Sequence, residues 1–170
     1  MTGATSLENA VASLQGAAWS GRIYRVMLND YPPDRENIQG ARWNPPDVAA
    51  IYACFEPAVC IAEVEYNLAR QPRPVKRDLR KTLYEIEVTL AAVVDLTALL
   101  PNLDKIGIGP AQLFADDMKA SQEIGRLITW FGFDGLIVPS ARFEGKNLVI
   151  YPGRANESYS FTTISQKNLK

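Results

Sequence analysis

Short apolar runs bounded by proline, glycine and polar residues limit the architectures open to this chain. The runs "AAIYAC" at 49–54, "TLYEIEVTL" at 82–90 and "GLIVPS" at 135–140 have the length and the β-branched or aromatic content of strands. Such runs outnumber the segments with helical periodicity, and the two kinds do not alternate strictly. We therefore predict an α+β fold, with a mixed, largely antiparallel sheet and flanking helices.

The predicted elements and connections follow from these patterns. Strands are predicted at 22–28, 49–54, 82–90, 92–96, 135–140, 147–152 and 159–164. Helices are predicted at 5–18, from Pro57 (a favourable first helical residue) to about Ala69, and from an N-cap at Ser121 to near Gly132. Loops are predicted at 31–40 and at the proline-rich 71–78, and 101–120 is predicted as loop with some helix.

The sequence contains no histidine, and its cysteines are Cys54 and Cys60 alone. Zinc ligands cannot be assembled from two cysteines without histidine, so we expect no metal. The missing imidazole also excludes Ser-His and Cys-His catalysis. Any chemistry must therefore use carboxylates, hydroxyls, arginine or lysine.

Charge and hydropathy restrict the partners. The chain has 18 basic and 19 acidic residues, and this balance argues against a nucleic-acid binder, which needs a basic face. Its first residues lack a basic signal region, and no apolar run approaches the roughly 18 residues of a membrane helix. We therefore expect a cytoplasmic protein with reduced thiols and no direct contact with membranes or nucleic acid.

The stretch "GARWNPPDVAAIYACFEPAVCIAEVEY" at 40–66 places three polar groups in what otherwise resembles the wall of a core. Arg42 is either a fork of donors for phosphate oxygens or a surface arginine stacked on Trp43. Tyr52 is either a half-buried strand aromatic or a ring that packs on a planar base. Both alternatives remain open for each residue at this point.

The most informative residue of this stretch is Glu63, on the predicted helix. Glu65 is two positions on, about 200° around a helix, so the two carboxylates face different ways and are not a catalytic pair. A carboxylate that faces the interior needs either a structural arginine partner or a chemical role. Ser140, at a strand end, is either a turn cap or a ligand-facing hydroxyl. Arg25 is an unusual strand arginine that could face the same pocket as Arg42.

Arginine, tyrosine, glutamate and serine fit one reaction without histidine or metal. Cleavage of the nicotinamide–ribose bond of NAD+ releases neutral nicotinamide, so no general acid is required. A carboxylate can stabilise the oxocarbenium-like ribose, as in glycosidases. An arginine can hold the diphosphate, while an aromatic ring packs on the nicotinamide.

The order of several short motifs resembles the RES domain family, named for Arg, Glu and Ser. The motifs are "YR" (24–25), "GARWN" (40–44), "AIYA" (50–53), "AVCIAEV" (58–64), "VPS" (138–140) and "NLVIYP" (147–152). The resemblance covers about residues 20–155, and we expect 1–170 to form a single domain around that core. It implies a fold like that of ADP-ribosyltransferases.

The resemblance also implies roles for individual residues. Glu63 would be the catalytic carboxylate, Arg42 would bind the NAD+ phosphates, Tyr52 would contact nicotinamide or its ribose, and Ser140 would line the pocket as the fourth catalytic residue. Further residues are expected to bind substrate, with Arg25 assisting at the phosphates: Arg25, Tyr24, Trp43 and Asn147.

The function implied by the resemblance is that of the toxin in a type II toxin–antitoxin pair, with an Xre-like antitoxin as partner. The leading interpretation is NAD+ cleavage, by water or by inorganic phosphate, which depletes NAD+ and arrests growth. One alternative is a mono-ADP-ribosyltransferase that modifies a host enzyme, such as one of nucleotide synthesis. Another is a nucleotide-binding module without catalysis.

Overall fold

The computed structural model describes residues 6–72 and 79–170. Its helices are α1 (Ser6–Ala12), α2 (Pro57–Ala69), α3 (Leu96–Lys105), α4 (Pro110–Leu113) and α5 (Lys119–Trp130). Its strands are β1 (Ala17–Leu28), β2 (Ile51–Cys54), β3 (Lys81–Asp95), β4 (Gly135–Pro139), β5 (Lys146–Ile150) and β6 (Ser160–Leu169), with a 3₁₀ turn at Pro152–Arg154. Most of the loop predicted at 71–78 lies outside the described residues.

The six strands form one sheet in the order β1-β2-β5-β4-β3-β6, and β1 also pairs with β3. This extra pairing closes β1, β2, β5, β4 and β3 into a barrel-like ring, from which β6 extends. Strands β3 and β4 are parallel, and the other recorded pairs are antiparallel. The predicted α+β class and largely antiparallel sheet are confirmed, whereas closure of the sheet was not predicted.

Strand β3 runs unbroken through the point at which the sequence predicted two separate strands. Its partner β6 pairs as far as Thr89, and its partner β4 begins to pair at Val93. Between them, the buried carboxylate of Asp134 accepts hydrogen bonds from the backbone N–H groups of Ala91 and Ala92, both at 2.9 Å. This side chain replaces the missing strand neighbour, so the buried backbone donors stay satisfied and the strand continues.

Two predicted helix boundaries differ from the observed ones. The helix predicted at 5–18 ends at Ala12, because the chain from Ala17 pairs along β3, and this long-range pairing prevails over local helical spacing. Helix α5 begins at Lys119, so Ser121 is not its N-cap. The Ser121 hydroxyl is fully buried and donates to the carbonyl of Met118 at 3.1 Å.

The segment predicted as a strand at 92–96 is strand only as far as Asp95, and helix α3 begins at Leu96. Asp95 caps α3 by accepting a hydrogen bond from the backbone N–H of Thr97 at 2.9 Å, which satisfies one of the free donors at the helix start. The other predicted strands and the helix from Pro57 to Ala69 are confirmed, although β1 and β6 are longer than predicted.

Alternating residues of the strands face two apolar layers. Ile23, Ile86 and Leu148 belong to the cluster formed by the strands alone, inside the ring. Val149, next in sequence to Leu148, belongs to a second cluster that includes residues of α1, α3 and α5. This alternation follows from the two-residue period of a strand. Among the helices of the described residues, none is long and apolar enough to span a bilayer.

Candidate functional site

The site lies on the outer face of β2, β5 and β4, against helix α2. The sheet register pairs Asn147 with Cys54 on one side and with Val138 on the other, so these three residues lie side by side on that face. A cavity of about 420 Å³ opens there, within the range of small-molecule sites. Six residues predicted for the site line it: Arg25, Arg42, Trp43, Tyr52, Glu63 and Asn147.

Helix α2 carries Glu63 to this cavity. Pro57 begins the helix after Glu56, which has extended backbone angles, as expected for the residue before a proline. Glu63 lines the cavity, whereas Glu65 is exposed and pairs with Lys81 on β3. The prediction that the two carboxylates face different ways is confirmed.

The Glu63 carboxylate is held by neutral donors from three strand segments. Its Oε1 accepts hydrogen bonds from Ser140 Oγ at 2.5 Å and from Asn147 Nδ2 at 2.9 Å. Its Oε2 accepts a longer hydrogen bond from Cys54 Sγ at 3.4 Å. No lysine or arginine nitrogen among the described residues lies within ion-pair distance of Glu63. The alternative of a structural arginine partner therefore does not describe this residue, whose carboxylate is oriented by hydrogen bonds from neutral groups.

Ser140 caps a turn and contacts the Glu63 carboxylate, although it does not line the cavity among the described residues, so a ligand-facing hydroxyl stays a prediction. Its Oγ accepts a hydrogen bond from Phe143 N at 3.3 Å while donating to Glu63, and its own N–H donates to the carbonyl of Gly145 at 2.8 Å. The turn after β4 is thereby fixed relative to α2.

Arg42 reaches the cavity from the segment before β2. Its Nη1 donates to the carbonyls of Leu113, the last residue of α4, and Ala115, at 2.9 and 2.8 Å. Burial lowers the pKa of this guanidinium, and the nearby charge of Arg142 lowers it further. The alternative of a surface arginine stacked on Trp43 is wrong, because Trp43 is 3% exposed and its ring packs edge-on against Phe114.

Tyr52 lines the cavity and also fixes the backbone next to Arg42. Its hydroxyl donates to Asn44 Oδ1 at 2.6 Å and accepts from the Trp43 N–H at 2.9 Å. Burial raises the pKa of this phenol, so it stays protonated at neutral pH. Tyr52 is thus half-buried, as one of the two alternatives has it, and its hydroxyl has both a donor and an acceptor within the protein.

Arg25 ties the 31–40 loop to the sheet. Its Nε donates to the carbonyl of Tyr52 at 2.8 Å, and its Nη1 donates to the carbonyls of Arg35 at 3.1 Å and of Pro33. Burial lowers its pKa to about 10, so the guanidinium remains charged at neutral pH. It lines the same cavity as Arg42, but much of its donor capacity is taken by backbone.

Tyr24 is, like Ser140, a predicted site residue that does not line the cavity among the described residues. It packs near Cys54, Val59 and Cys60. Its substrate-binding role, like that of the core residue Trp43, stays a prediction.

Four contributors to the site were not singled out from the sequence. Cys54 donates to Glu63, Asn44 holds Tyr52, and Tyr66 and Arg142 line the cavity. The positions of Tyr66, one helical turn after Glu63, and of Arg142, two residues after Ser140, were signals that could have found them. Of the residues described, no cluster of three or more histidine, cysteine, aspartate or glutamate side chains could hold a metal ion.

Comparison with known proteins gives the family. The family model described as "RES domain" matches residues 21–168 of this sequence. This chain belongs to the RES domain family. The match extends the predicted range of 20–155 through most of β6.

Curated relatives from Mycobacterium bovis and Mycobacterium tuberculosis carry the name NAD(+) phosphorylase MbcT and are 30% identical over 118 residues. The alignment covers 68% of this chain and 63% of the length of those relatives. The structure also matches a chain of the Mycobacterium tuberculosis MbcT-MbcA toxin-antitoxin complex, with a TM-score of 0.81. That match has 24% identity and covers 98% of this chain and 93% of the other, which shows a shared fold.

Proposed function

We propose that this RES domain protein is a toxin that cleaves the nicotinamide–ribose bond of NAD+, depleting NAD+ and arresting growth. The observation that carries the proposal is the Glu63 carboxylate, held by neutral donors at 2.5 and 2.9 Å, in a cavity that Arg42 also lines. The relatives named NAD(+) phosphorylase support the same substrate, although the alignment spans only 63% of their length.

Glu63 would act on the charge that develops as the bond breaks. Nicotinamide leaves with the electron pair of the glycosidic bond, and positive charge spreads over the ribose ring and C1. A carboxylate whose orientation is already fixed stabilises this charge without reorganising during the reaction. Ser140 and Asn147 would keep it oriented, and no proton need be given to the leaving group.

Arg42 and Tyr52 would position the dinucleotide. Arg42 would bind the diphosphate with the donors that its bonds to Leu113 and Ala115 leave available. Tyr52 would present its ring to the nicotinamide or ribose, while its hydroxyl keeps Asn44 and the Trp43 backbone in place. Arg25 would contribute positive charge to the same cavity.

The group that receives the ADP-ribose decides which product the reaction gives. The name of the relatives favours inorganic phosphate over water. Transfer to a protein shares the same first step, so the alternative of a mono-ADP-ribosyltransferase uses the same residues.

We further propose an antitoxin partner, supported by the fold match to a chain of a toxin–antitoxin complex. The Xre-like class of this partner is what the sequence resemblance implies. We also propose that residues 1–170 work as a single domain related to ADP-ribosyltransferases. One sheet joins strands from Ala17 to Leu169, which supports that unit. The protein would act in the cytoplasm, where it would meet the NAD+ pool.

Product analysis tests the proposed reaction. Purified protein is incubated with adenine-labelled NAD+ in buffer alone, with inorganic phosphate, and with cell lysate. We expect nicotinamide and labelled ADP-ribose 1-phosphate in the phosphate sample. Label attached to a protein band in the lysate sample would support transfer instead, and absence of nicotinamide release in all samples would contradict NAD+ cleavage.

A further inference from the structure

A phosphate acceptor raises an electrostatic problem in this cavity. The carboxylate that stabilises an oxocarbenium ion also repels a phosphate dianion that approaches the same carbon. At a few ångströms, such repulsion between like charges is strong even near a protein surface. Phosphorolysis therefore requires a cation close to Glu63 that is not already occupied by the diphosphate of NAD+.

Three arginines line the cavity among the residues that the structure describes: Arg25, Arg42 and Arg142. The Nε and Nη1 of Arg25 donate hydrogen bonds to three backbone carbonyls. Arg42 gives Nη1 to two carbonyls, and its remaining donors are assigned to the diphosphate. Arg142 donates to no carbonyl within the described ranges, so its donor fork is the most available of the three.

The position of Arg142 is coupled to the catalytic carboxylate through the backbone. Arg142 lies two residues after Ser140, and the Ser140 hydroxyl donates to Glu63. The turn that contains both residues is closed by a hydrogen bond from the Ser140 N–H to the carbonyl of Gly145. Its guanidinium lies over the ring of Tyr66, with the central carbon 5.1 Å from the ring centroid. Stacking on a tyrosine holds a guanidinium in place while leaving its N–H edges free.

Asp116, which pairs with Arg142, can be replaced by an anionic ligand. Asp116 Oδ1 lies 3.9 Å from its Nη2, and the Asp116 side chain is 93% exposed. Such an exposed ion pair is weak, because solvent screens both charges. A phosphate that accepts two N–H bonds from the fork would be bound more tightly.

From this geometry we propose that Arg142 binds the inorganic phosphate that attacks C1 of the ribose. This inference rests on the proposed NAD+ cleavage and identifies its acceptor. A phosphate oxygen forms the new bond to C1 as the bond from C1 to the nicotinamide nitrogen breaks, and the electron pair leaves with nicotinamide. The products are nicotinamide and ADP-ribose 1-phosphate, and the step requires no oxidant or reductant.

The test is the steady-state KM for phosphate at saturating NAD+, and the KM for NAD+ at saturating phosphate. Loss of a charge-assisted bidentate contact corresponds to about a 10- to 100-fold change. We expect Arg142→Ala to raise the KM for phosphate by this factor and to change the KM for NAD+ by less than about threefold. Arg142→Lys should fall between Arg142→Ala and wild type, because lysine keeps the charge but loses the fork.

Arg70→Ala is the matched control. Arg70 also lies over the Tyr66 ring, at 5.3 Å, but it is outside the cavity lining among the described residues. Its KM for phosphate should equal that of wild type. If Arg142→Ala fails to fold, as judged by thermal melting, Asp116→Asn provides the second test. Removing this competing anion should lower the KM for phosphate.

Several outcomes would overturn the inference. An unchanged KM for phosphate in Arg142→Ala would do so, as would a rise confined to the KM for NAD+, which would assign Arg142 to the dinucleotide. Wild-type nicotinamide release that is independent of phosphate would overturn it while leaving NAD+ cleavage intact. Absence of release from the wild type under every condition would instead contradict the proposed function itself.

Discussion

The Oγ of Ser140 lies 2.5 Å from Oε1 of Glu63, although 77 residues separate them in the chain. This bond connects the end of β4 to the middle of α2. Asn147, from β5, donates to the same oxygen at 2.9 Å. The carboxylate is therefore oriented by two different strand segments before any ligand arrives, as electrostatic catalysis requires.

Replacing Glu63 by glutamine should abolish catalysis while preserving the fold. The neutral amide keeps the shape but not the charge, and we expect a loss on the order of 10²–10³-fold or more in the rate of nicotinamide release. Glu65→Gln is the control, because it lies on the same helix but is exposed. Its rate should equal wild type, and its broken pair with Lys81 should cost about 1 kcal/mol or less. Equal rates for the two variants would remove Glu63 from the mechanism.

Ser140→Ala should slow the reaction without abolishing it. The variant loses one of the two short hydrogen bonds that orient Glu63, while the bond from Asn147 remains. We expect a decrease of about 10- to 100-fold in kcat, with a smaller change in the KM for NAD+, because the bond orients the carboxylate in the transition state. Ser158→Ala, in the exposed turn before β6, should have wild-type kinetics. A rise in KM with unchanged kcat would argue for a substrate-binding role instead.

The two arginines Arg25 and Arg22 on β1 should differ sharply in their effect on stability. Arg25→Ala leaves three backbone carbonyls without their donor, and we expect a loss of about 2–4 kcal/mol in the free energy of unfolding. Arg22→Ala removes a pair with Glu85 in which the arginine is 58% exposed, which should cost about 1 kcal/mol or less. Urea denaturation measures both, and similar midpoints would contradict a structural role for Arg25.

Gly125 on α5 lies so close to the Trp43 backbone that no side chain fits. A Cβ at this position would lie 1.8 Å from the Trp43 carbonyl oxygen. Gly125→Ala must therefore displace either α5 or the segment that carries Arg42, and should cost about 3 kcal/mol or more. Gly153→Ala is the control, because nothing lies within 4 Å of its Cβ position. Thermal melting should separate the two variants, and equal melting temperatures would contradict this contact.

Arg42→Ala should affect both substrate binding and stability. The variant loses positive charge in the cavity and two hydrogen bonds to the chain at the end of α4. We therefore expect a higher KM for NAD+ and a loss of about 1–2 kcal/mol in unfolding free energy. Arg42→Lys should recover part of the binding, since it keeps the charge. A KM for NAD+ equal to that of wild type in a folded Arg42→Ala protein would contradict the diphosphate role.

Elements with a strong local signal were predictable from the sequence, as was much of the site. Pro57 and the apolar spacing that follows it predicted where α2 begins and ends. The two-residue separation of Glu63 and Glu65 predicted that their side chains face different ways. Closure of the sheet depends on the pairing of β1 with β3 across more than fifty residues, which no local pattern encodes. The continuity of β3 depends in the same way on the distant Asp134.

The site residues that were not predicted from the sequence escaped prediction for one physical reason. Cys54 and Asn44 act through contacts that depend on strand register and loop packing, and each alone resembles an ordinary small core or turn residue. The commitment of Arg25 to backbone carbonyls likewise requires the position of the 31–40 loop. Such roles follow from tertiary contacts, whereas sequence spacing reports only local geometry.

The most direct test of the central claim is nicotinamide release from NAD+ by the purified wild-type protein and by Glu63→Gln, each with and without inorganic phosphate. We predict release by the wild type that increases with phosphate, and release near background by Glu63→Gln at equal concentration and equal thermal stability. Release by Glu63→Gln at the wild-type rate, or none by a folded wild-type protein, would contradict a carboxylate-stabilised cleavage of NAD+ at this site.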